Sequence, residues 1–197
     1  MNTQNELQDF LAYFTGKNTS SIEVDDFVKF GLKGELKHYK IGQFMIRQGQ
    51  LAPKIYFLLK GYVRYLSLSE DGKEFTQSFA HSPGIAGSTR AMSRKTNALF
   101  SIEVLDDVLC LEFDWLSFFN IMQDKPGFLM AYNSLLENLF IKKEEREYAF
   151  ARQTAEQRYL HFLQENSQLR DKLPLNMIAS HIGITPIALS RIRKKLT

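Results

Sequence analysis

The sequence predicts an α+β protein: an antiparallel jelly-roll barrel (a double-stranded β-helix), then a long dimerisation helix, then a C-terminal helix-turn-helix domain. This prediction rests on where the hydrophobic period changes along the chain. Short apolar or alternating runs bounded by turn residues fill residues 35–113, whereas apolar residues spaced by three and four fill residues 115–196. The last of these segments contains two short apolar helices separated by Gly183.

The composition is that of a globular protein of one large or two ordinary domains. The chain has 197 residues, of which 44% are hydrophobic and 24% are charged. No run of about 18 apolar residues is present, and the first ten residues are polar and acidic, unlike a signal peptide. We therefore expect a cytoplasmic protein with no membrane partner. A single cysteine, Cys110, argues against an internal disulfide, a zinc knuckle or an iron–sulfur cluster.

Residues 35–113 have the pattern of an antiparallel barrel or jelly roll. The segment Glu70-Asp71-Gly72-Lys73 lies between two short runs and is typical of a hairpin turn. No helix-length gap separates the runs, which argues against a parallel α/β sheet. Short amphipathic helices are predicted before the barrel, at residues 2–16 and 24–30. The predicted strands are Glu35–Tyr39, Gln43–Arg47, Lys54–Leu59, Tyr62–Leu68, Phe75–Ala80, Leu99–Leu105 and Val108–Phe113.

After a short predicted helix at Trp115–Met122, a long helix is expected from about Pro126 to Ala151. Its apolar residues alternate at spacings of three and four, as in a coiled-coil seam. The alternative is one helix folded back on its own barrel. We favour a two-fold dimer, because a paired helix-turn-helix reaches two major grooves roughly 34 Å apart. The predicted dimer contacts are Leu129, Tyr132, Leu136, Leu139 and Lys143.

The predicted units are therefore a barrel with flanking helices at 1–125, a dimerisation helix at 126–152 and a DNA-binding domain at 153–197. The last unit begins with a helix at about Thr154–Gln164. Leu175 to Lys195 then has the pattern of a helix-turn-helix. Gly183 is expected to end the first helix with positive φ, while Thr185 and Pro186 begin the second. The apolar residues expected to pack these two helices together are Ile178, Ala179, Ile182, Leu189, Ile192 and Leu196.

The charge of this stretch indicates a nucleic-acid partner. No acidic side chain occurs between Leu175 and Thr197, whereas the second helix carries four basic ones. A duplex phosphate backbone favours such a surface. The alternative is a helical hairpin with a solvated basic tail. The predicted DNA-binding residues are Thr185, Pro186, Ile187, Ser190, Arg191, Arg193, Lys194 and Lys195.

The order of these elements resembles the transcription regulators related to the cyclic-AMP receptor protein and FNR, the Crp/Fnr family. The matching stretches are Gln48-Gly49-Gln50 before Ile55–Arg64, and Ile178-Ala179, Gly183-Ile184-Thr185 and Leu189–Arg193 in the helix-turn-helix. The resemblance implies a homodimer that binds double-stranded DNA, a sensory barrel of cyclic-nucleotide-binding type and contact with RNA polymerase. It also implies a winged-helix type of DNA-binding domain. The sequence ends at Thr197, before the final wing, so we expect that either the sequence is truncated there or the wing is absent.

The effector implied by the resemblance is not identified by the sequence. The family's cyclic-nucleotide cassette has a Gly-Glu pair and an Arg before a small residue, but no Glu follows Gly84 or Gly87 here, and Asn97 precedes Ala98. These departures argue against a cyclic nucleotide, the missing cysteines argue against an iron–sulfur cluster, and the scarcity of axial ligands argues against haem. The effector is expected to be an unknown small molecule. Its candidate pocket residues are Gly84, Gly87, Ser88, Asn97, Ala98, Tyr132 and Asn133.

The helix expected to read DNA also departs from the family member that binds cyclic AMP. Pro186 and Ile187 stand where that protein has an Arg-Glu pair, and Arg191 matches its second Arg. An apolar Ile187 suits a thymine methyl group, and Arg191 suits a bidentate guanine contact worth roughly 1–3 kcal/mol of discrimination. A different DNA half-site is therefore predicted.

Two other functional classes make different demands on the sequence. A small-molecule-binding or protein-interaction module could use the helix-turn-helix only as scaffold, and it would then lack salt-sensitive DNA affinity. An enzyme built on the barrel would need clustered metal ligands, but only His38 and His81 lie in the barrel and they form no H-x-H pair. We therefore expect a transcription regulator and no enzymatic activity.

Overall fold

The computed structural model describes residues 34–125, 127–166, 169 and 172–196. The helices predicted at 2–16 and 24–30 lie outside the described residues. Within the described residues, no helix is both long and apolar enough to span a membrane.

The first half of the described chain is an antiparallel sheet with one short helix inserted. Its elements are β1 (Glu35–Tyr39), β2 (Phe44–Ile46), β3 (Lys54–Leu68), β4 (Glu74–His81), β5 (Gly84–Gly87), α1 (Thr89–Arg94) and β6 (Ser101–Asp114). The strand order is β1-β6-β3-β4, with β2 also paired to β6 and β5 also paired to β3. Every one of these pairs is antiparallel, which confirms the predicted barrel-like domain.

Two pairs of predicted strands are in fact single long strands, so the expectation of seven or eight strands was wrong. The runs on either side of Gly61 join as β3, and those on either side of Asp106-Asp107 join as β6. Gly61 and Asp106-Asp107, which predicted turns, lie instead where the two long strands pair irregularly. The register of β3 against β6 shifts there, around Lys60. Gly61 has φ +86°, and an added Cβ would approach the Asp107 carbonyl oxygen to 2.5 Å. The glycine therefore permits a bulge, not a chain reversal.

Strand β5 and helix α1 were not predicted. The strand is only four residues long and contains two glycines, and the helix is only six residues long. Ser88 begins α1 by accepting a hydrogen bond from the Ala91 backbone N–H. Elements this short carry too few residues to show a hydrophobic period.

A charge cluster centred on the buried Arg64 joins the three longest strands. Arg64 of β3 is 3% exposed. Its Nε donates to Glu103 of β6 over 2.8 Å, and its Nη2 donates to Glu74 of β4 over 2.9 Å. Because a buried charge is costly without a partner, these bonds fix the start of β4 against the sheet.

Five helices follow the sheet, in the predicted order: α2 (Trp115–Met122), α3 (Phe128–Arg152), α4 (Ala155–Glu165), α5 (Leu175–Ile182) and α6 (Pro186–Leu196). Gly127 precedes α3 with φ 80°. Thr154 and Gln157 form a capping box that begins α4. The long helix therefore ends and the next begins at residues 153–154, where the sequence places the boundary of the DNA-binding domain.

Two hydrophobic clusters outside the barrel interior position the helices. An aromatic cluster at the start of α3 contains Trp115, Phe118 and Phe128 together with Met92 of α1. A second cluster packs α4, α5 and α6 together, and it includes Tyr62, with Phe79 and Leu105 packed against it, all from the sheet. The C-terminal helices therefore share their core with the barrel.

Candidate nucleic-acid interface

The two helices of the predicted helix-turn-helix pack through fully buried side chains. Ala179 of α5 and Leu189 of α6 both have 0% exposure, and Ile178 and Ile182 are buried beside them. The absence of a larger side chain at Ala179 lets the helices cross closely. Gly183 ends α5 with φ 74°, and its N–H donates to Ser180. The sequence-predicted turn is confirmed.

Helix α6 begins as its sequence predicts. The Thr185 hydroxyl oxygen accepts a hydrogen bond from the Ala188 backbone N–H over 3.2 Å, which is the N-cap arrangement. Pro186 is the first residue of the helix, where its missing N–H costs nothing. The cap fixes the direction in which the first turn of α6 leaves the domain.

The outer face of α6 is a continuous exposed stripe. Ile187, Ser190, Arg191 and Lys194 follow the spacing i, i+3, i+4 and i+7, so they lie on one face of the helix. All four are exposed, and Ile187 is 68% exposed. This recognition stripe lies opposite buried Leu189, so packing inside the domain holds it outward.

The other predicted DNA-binding residues border the recognition stripe. Thr185, Pro186, Arg193 and Lys195 are exposed. The helical spacing places Arg193 and Lys195 on opposite sides of the stripe. Lys195 forms an ion pair with Glu156 of α4, at 2.9 Å between Nζ and Oε2. Basic side chains that flank a helix suit phosphates on either side of a groove.

Helix α5 is docked on β4, a contact that the sequence did not predict. The Ser180 hydroxyl accepts from the Thr76 backbone N–H over 2.9 Å and donates to the Glu74 carbonyl over 3.1 Å. Arg146 of α3 donates to the His181 carbonyl over 3.0 Å and to the Thr76 carbonyl over 3.5 Å. Strand β4 has a partner strand on only one side, and these groups satisfy part of its other edge. No local signal in the sequence indicates a contact between segments so far apart.

His181 is enclosed at this docking contact. Its ring lies between those of Phe79 and Phe162, with centroid distances of 5.3 and 5.6 Å. Burial, and then the nearby Arg146 guanidinium, lower the pKa of His181 to about 4. The ring is therefore neutral near pH 7, and its Nδ1 lies 3.3 Å from the Arg146 Nη1.

Helix α3 presents an exposed side away from the barrel. Phe140 is 63% exposed, Leu129 is 47% exposed and Lys143 is exposed, while Leu136 is half-buried. Of the remaining predicted dimer contacts, Leu139 is exposed, whereas Tyr132 packs within its own chain. The Tyr132 ring contacts those of Trp115, Phe119 and Phe128.

Comparison with known proteins gives the same architecture. Residues 36–125 match the cyclic nucleotide-binding domain family. The nitrogen fixation regulation protein FixK of Bradyrhizobium diazoefficiens is 23% identical over 90% of this chain and 78% of its own length. The structure of FixK2 from Bradyrhizobium japonicum superposes with a TM-score of 0.72 at 17% identity, covering 84% of this chain and 85% of that one. A transcriptional regulator assigned to the Crp/Fnr family from Eubacterium rectale superposes with a TM-score of 0.69 at 16% identity, covering 89% and 83%.

Residues 36–125 therefore form a domain of the cyclic nucleotide-binding type, and the described chain has the fold of regulators of the Crp/Fnr type.

In this chain, the predicted effector cassette makes its polar contacts internally. The Gly87 N–H donates to the Tyr65 hydroxyl over 3.2 Å, and buried Ser88 caps α1. Arg90 donates to the Thr96 hydroxyl over 3.1 Å and to the Asn97 carbonyl over 3.0 Å. Two donors of the cassette, the Gly87 N–H and the Arg90 Nη1, therefore already have acceptors within the chain.

The predicted pocket residues fall into two groups. Gly84, Gly87 and Ser88 lie along β5 and the start of α1, and Asn97 and Ala98 lie where that segment returns towards β6. The Ala98 N–H donates to the Gln50 carbonyl, which ties this return to the Gln48-Gly49-Gln50 turn. Tyr132 belongs to the aromatic cluster instead, and Asn133 is exposed.

The other candidate ligands of the barrel are placed by the structure as well. In the part of the chain that the structure describes, no group of three or more His, Cys, Asp or Glu side chains could hold a metal ion. Cys110 is fully buried, and burial raises the pKa of its thiol to about 12. The thiol is therefore protonated at neutral pH, as expected of a cysteine that serves as a small core residue.

Proposed function

We propose that this chain is a transcription regulator of the Crp/Fnr type, which binds double-stranded DNA as a homodimer and inserts α6 of each copy into one of two successive major grooves. The observation that carries the proposal is the recognition stripe, Ile187, Ser190, Arg191 and Lys194. It is exposed along its whole length while the opposite face of α6 is buried. Nothing acidic interrupts it, so it suits the negative potential of a groove.

Each side chain of the stripe has a proposed role. Arg191 donates two hydrogen bonds to a guanine edge, and Ile187 contacts a thymine methyl group. Ser190 bonds to a base edge or a phosphate, and Lys194 lies near the phosphates with Arg193 and Lys195. Thr185 and Pro186 fix the start of the helix against the backbone. The two copies associate through the exposed side of α3, which includes Leu129, Leu136 and Lys143.

The barrel is proposed to carry the regulatory input. A small effector would bind at the cassette around Gly84, Gly87, Ser88, Asn97 and Ala98, and it would have to displace the internal bonds described above. Such a ligand changes DNA affinity only if it binds one arrangement of the dimer better than another. Binding to chromosomal DNA places the protein in the cytoplasm, where the bound dimer acts through RNA polymerase.

The DNA-binding proposal is tested by measuring affinity for a site selected from a random duplex library, at several salt concentrations. We expect Arg191→Ala to cost roughly 1–3 kcal/mol on the selected site and to relax its preference at one base pair. We expect Lys194→Ala to weaken all duplexes similarly and to reduce the slope of log affinity against log salt by about 1. Arg152→Ala, at the exposed end of α3, is the matched control and should leave both quantities unchanged.

The proposal fails if the control and Arg191→Ala bind the selected site equally well. It also fails if the purified protein shows no salt-dependent affinity for any duplex, because phosphate contacts release counterions. Light scattering in solution tests the homodimer separately.

A further inference from the structure

The exposed side of α3 has a heptad pattern of its own. Positions 129, 133, 136, 140, 143 and 147 are separated by alternating steps of four and three, so they form one stripe along the helix. This seam differs from the one predicted from the sequence, because Asn133 and Phe140 replace Tyr132 and Leu139. The Tyr132 ring is held in the aromatic cluster of its own chain, which turns it away from the seam. In order, the seam residues are Leu129, Asn133, Leu136, Phe140, Lys143 and Glu147.

The first part of the seam is apolar and interrupted by one amide. Phe140 is 63% exposed in the single chain, and residues 137–145 are all exposed, so this part of the helix leaves its apolar side chains uncovered. Asn133 is also exposed. In the heptad it occupies an a position, four residues after Leu129 and three before Leu136. A single Asn at an a position of a parallel coiled coil fixes register and oligomeric state, because two facing amides can bond only to each other.

The second part of the seam is charged and self-complementary. Lys143 and Glu147 are exposed, and neither forms an ion pair within the described residues. The order Lys then Glu at i, i+4 is also the weaker orientation for a bond within one helix. Two parallel copies in register place each Lys143 about one turn from the Glu147 of the other copy.

The antiparallel arrangement of the same seam is disfavoured by its sequence. Reversing one helix about the middle of the seam would place the charged end against the apolar end, so that Leu129 would face Glu147. That contact would bury a carboxylate without a partner, which is costly. In the parallel arrangement apolar residues meet apolar residues and opposite charges meet.

We propose that Asn133 and the Lys143–Glu147 pair determine which chain this regulator accepts as its partner: a second copy of itself, parallel and in register. The inference rests on the proposed homodimer, and it adds which residues determine the choice of partner. The Asn133 amides exclude shifted or reversed pairing, and the two charges exclude related chains that carry a different charge pattern at this end. Parallel pairing also places both recognition stripes at the same end of the dimer, as two half-sites require.

Cysteine crosslinking tests the register. In a parallel, in-register seam the two residues at position 129 are close enough for a disulfide, so Leu129→Cys, which keeps Asn133, should become a covalent dimer under mild oxidation. Asn138→Cys is the matched control: it is exposed on the same helix but outside the seam, and it should stay monomeric on a non-reducing gel. The native Cys110 is buried and should not crosslink.

Charge exchange tests partner choice. Lys143→Glu places four carboxylates at the end of the seam, and Glu147→Lys places four ammonium groups there. Each variant alone should dimerise at least tenfold more weakly than the natural chain, and a mixture of the two should form heterodimers almost exclusively. Glu145→Lys, an exposed change outside the seam, should dimerise normally.

The outcomes separate the two proposals. If the natural chain is monomeric by light scattering at micromolar concentration, the proposed homodimer is wrong. If it is dimeric, the present inference is overturned by either of two results: Leu129→Cys crosslinks no better than Asn138→Cys, or the two charge variants dimerise normally and mix at random.

Discussion

At Thr76, the hydroxyl of Ser180 makes hydrogen bonds of the kind that a neighbouring strand would make. It accepts the Thr76 backbone N–H over 2.9 Å and returns a hydrogen bond to the carbonyl two residues earlier. One side chain of the C-terminal helices thus satisfies both kinds of backbone group on the edge of the barrel sheet. The start of that edge strand is in turn fixed by the buried Arg64 through Glu74.

Replacing Ser180 with alanine should loosen this contact. The Thr76 N–H would lose its acceptor, which costs about 1–3 kcal/mol when the group stays away from water. We expect the Thr76 amide to exchange with deuterium at least several-fold faster, with β4 the most affected strand. Ser190→Ala, in the recognition stripe, should leave exchange in β4 unchanged. Equal exchange at Thr76 in both variants would contradict the contact.

The enclosed imidazole of His181 should make stability depend on pH. Its folded-state pKa of about 4 lies below the value of about 6.5 expected in the unfolded chain. The unfolded state therefore binds more protons between these values, and stability is retained above about pH 6.5 and lost as the pH falls towards 4. The free energy of unfolding should fall by up to about 1.4 kcal/mol per pH unit in this window.

Denaturant unfolding of His181→Gln at pH 7.5 and pH 5 measures that contribution. The variant should lose part of the difference in stability between the two pH values. His161→Gln, an exposed histidine of α4, should keep the full difference. If His181→Gln keeps the full difference in unfolding free energy between pH 7.5 and pH 5, another group is responsible for it.

Gly183 should tolerate no side chain. Alanine there would combine a positive φ of 74° with a Cβ placed 2.5 Å from Cε1 of Phe150. Gly72 is the matched control, because it has φ +79° with nothing within 4 Å. Gly72→Ala should cost roughly 1 kcal/mol from backbone conformation alone, and Gly183→Ala should cost clearly more. Thermal melts of both variants measure the difference. Adding Phe150→Ala to Gly183→Ala should recover part of it, and the absence of any recovery would argue against the clash.

The cassette should bind cyclic nucleotides poorly. Its Gly87 N–H and Arg90 guanidinium are already bonded, to Tyr65 and to residues 96–97. A ligand phosphate would have to break these bonds before making its own, and a ligand stabilises a fold only through net preference for it. We expect millimolar cyclic AMP or cyclic GMP to leave the melting temperature unchanged. A saturable rise would overturn this expectation, and loss of that rise in Arg90→Gln would then locate the site.

Most of the fold could be predicted from local patterns in the sequence. Gly183, Thr185 and Pro186 sit at helix ends where backbone geometry restricts the choice of residue, so the helix-turn-helix could be predicted with its boundaries. The chain around Gly61 was predicted to form two strands, but it forms one. A bulge and a turn both favour glycine, so the sequence alone does not distinguish them. The frame of the seam was ambiguous for a similar reason: residues 132 and 133 both fit the spacing from Leu129. Only the packing of Tyr132 against Trp115, Phe119 and Phe128 decides between them.

The docking of α5 on β4 could not be predicted from local patterns in the sequence. Thr76 and Ser180 are 104 residues apart, and neither residue is unusual in its own segment. Their meeting depends on how the barrel, α3 and the C-terminal helices are arranged in three dimensions. The neutral state of His181 depends on the same arrangement, so it too could not be inferred from the sequence.

Three side chains of the sheet, those of Tyr62, Phe79 and Leu105, pack in the C-terminal cluster. The sheet and the C-terminal helices should therefore depend on each other for stability. A fragment beginning at residue 153 would leave Phe162 and His181 without the rings and edge strand that cover them. Such a fragment should be a poor autonomous folder and prone to aggregate. In the intact chain, melting of the barrel sheet removes part of the core of the C-terminal helices, so the sheet and these helices should unfold in one cooperative transition.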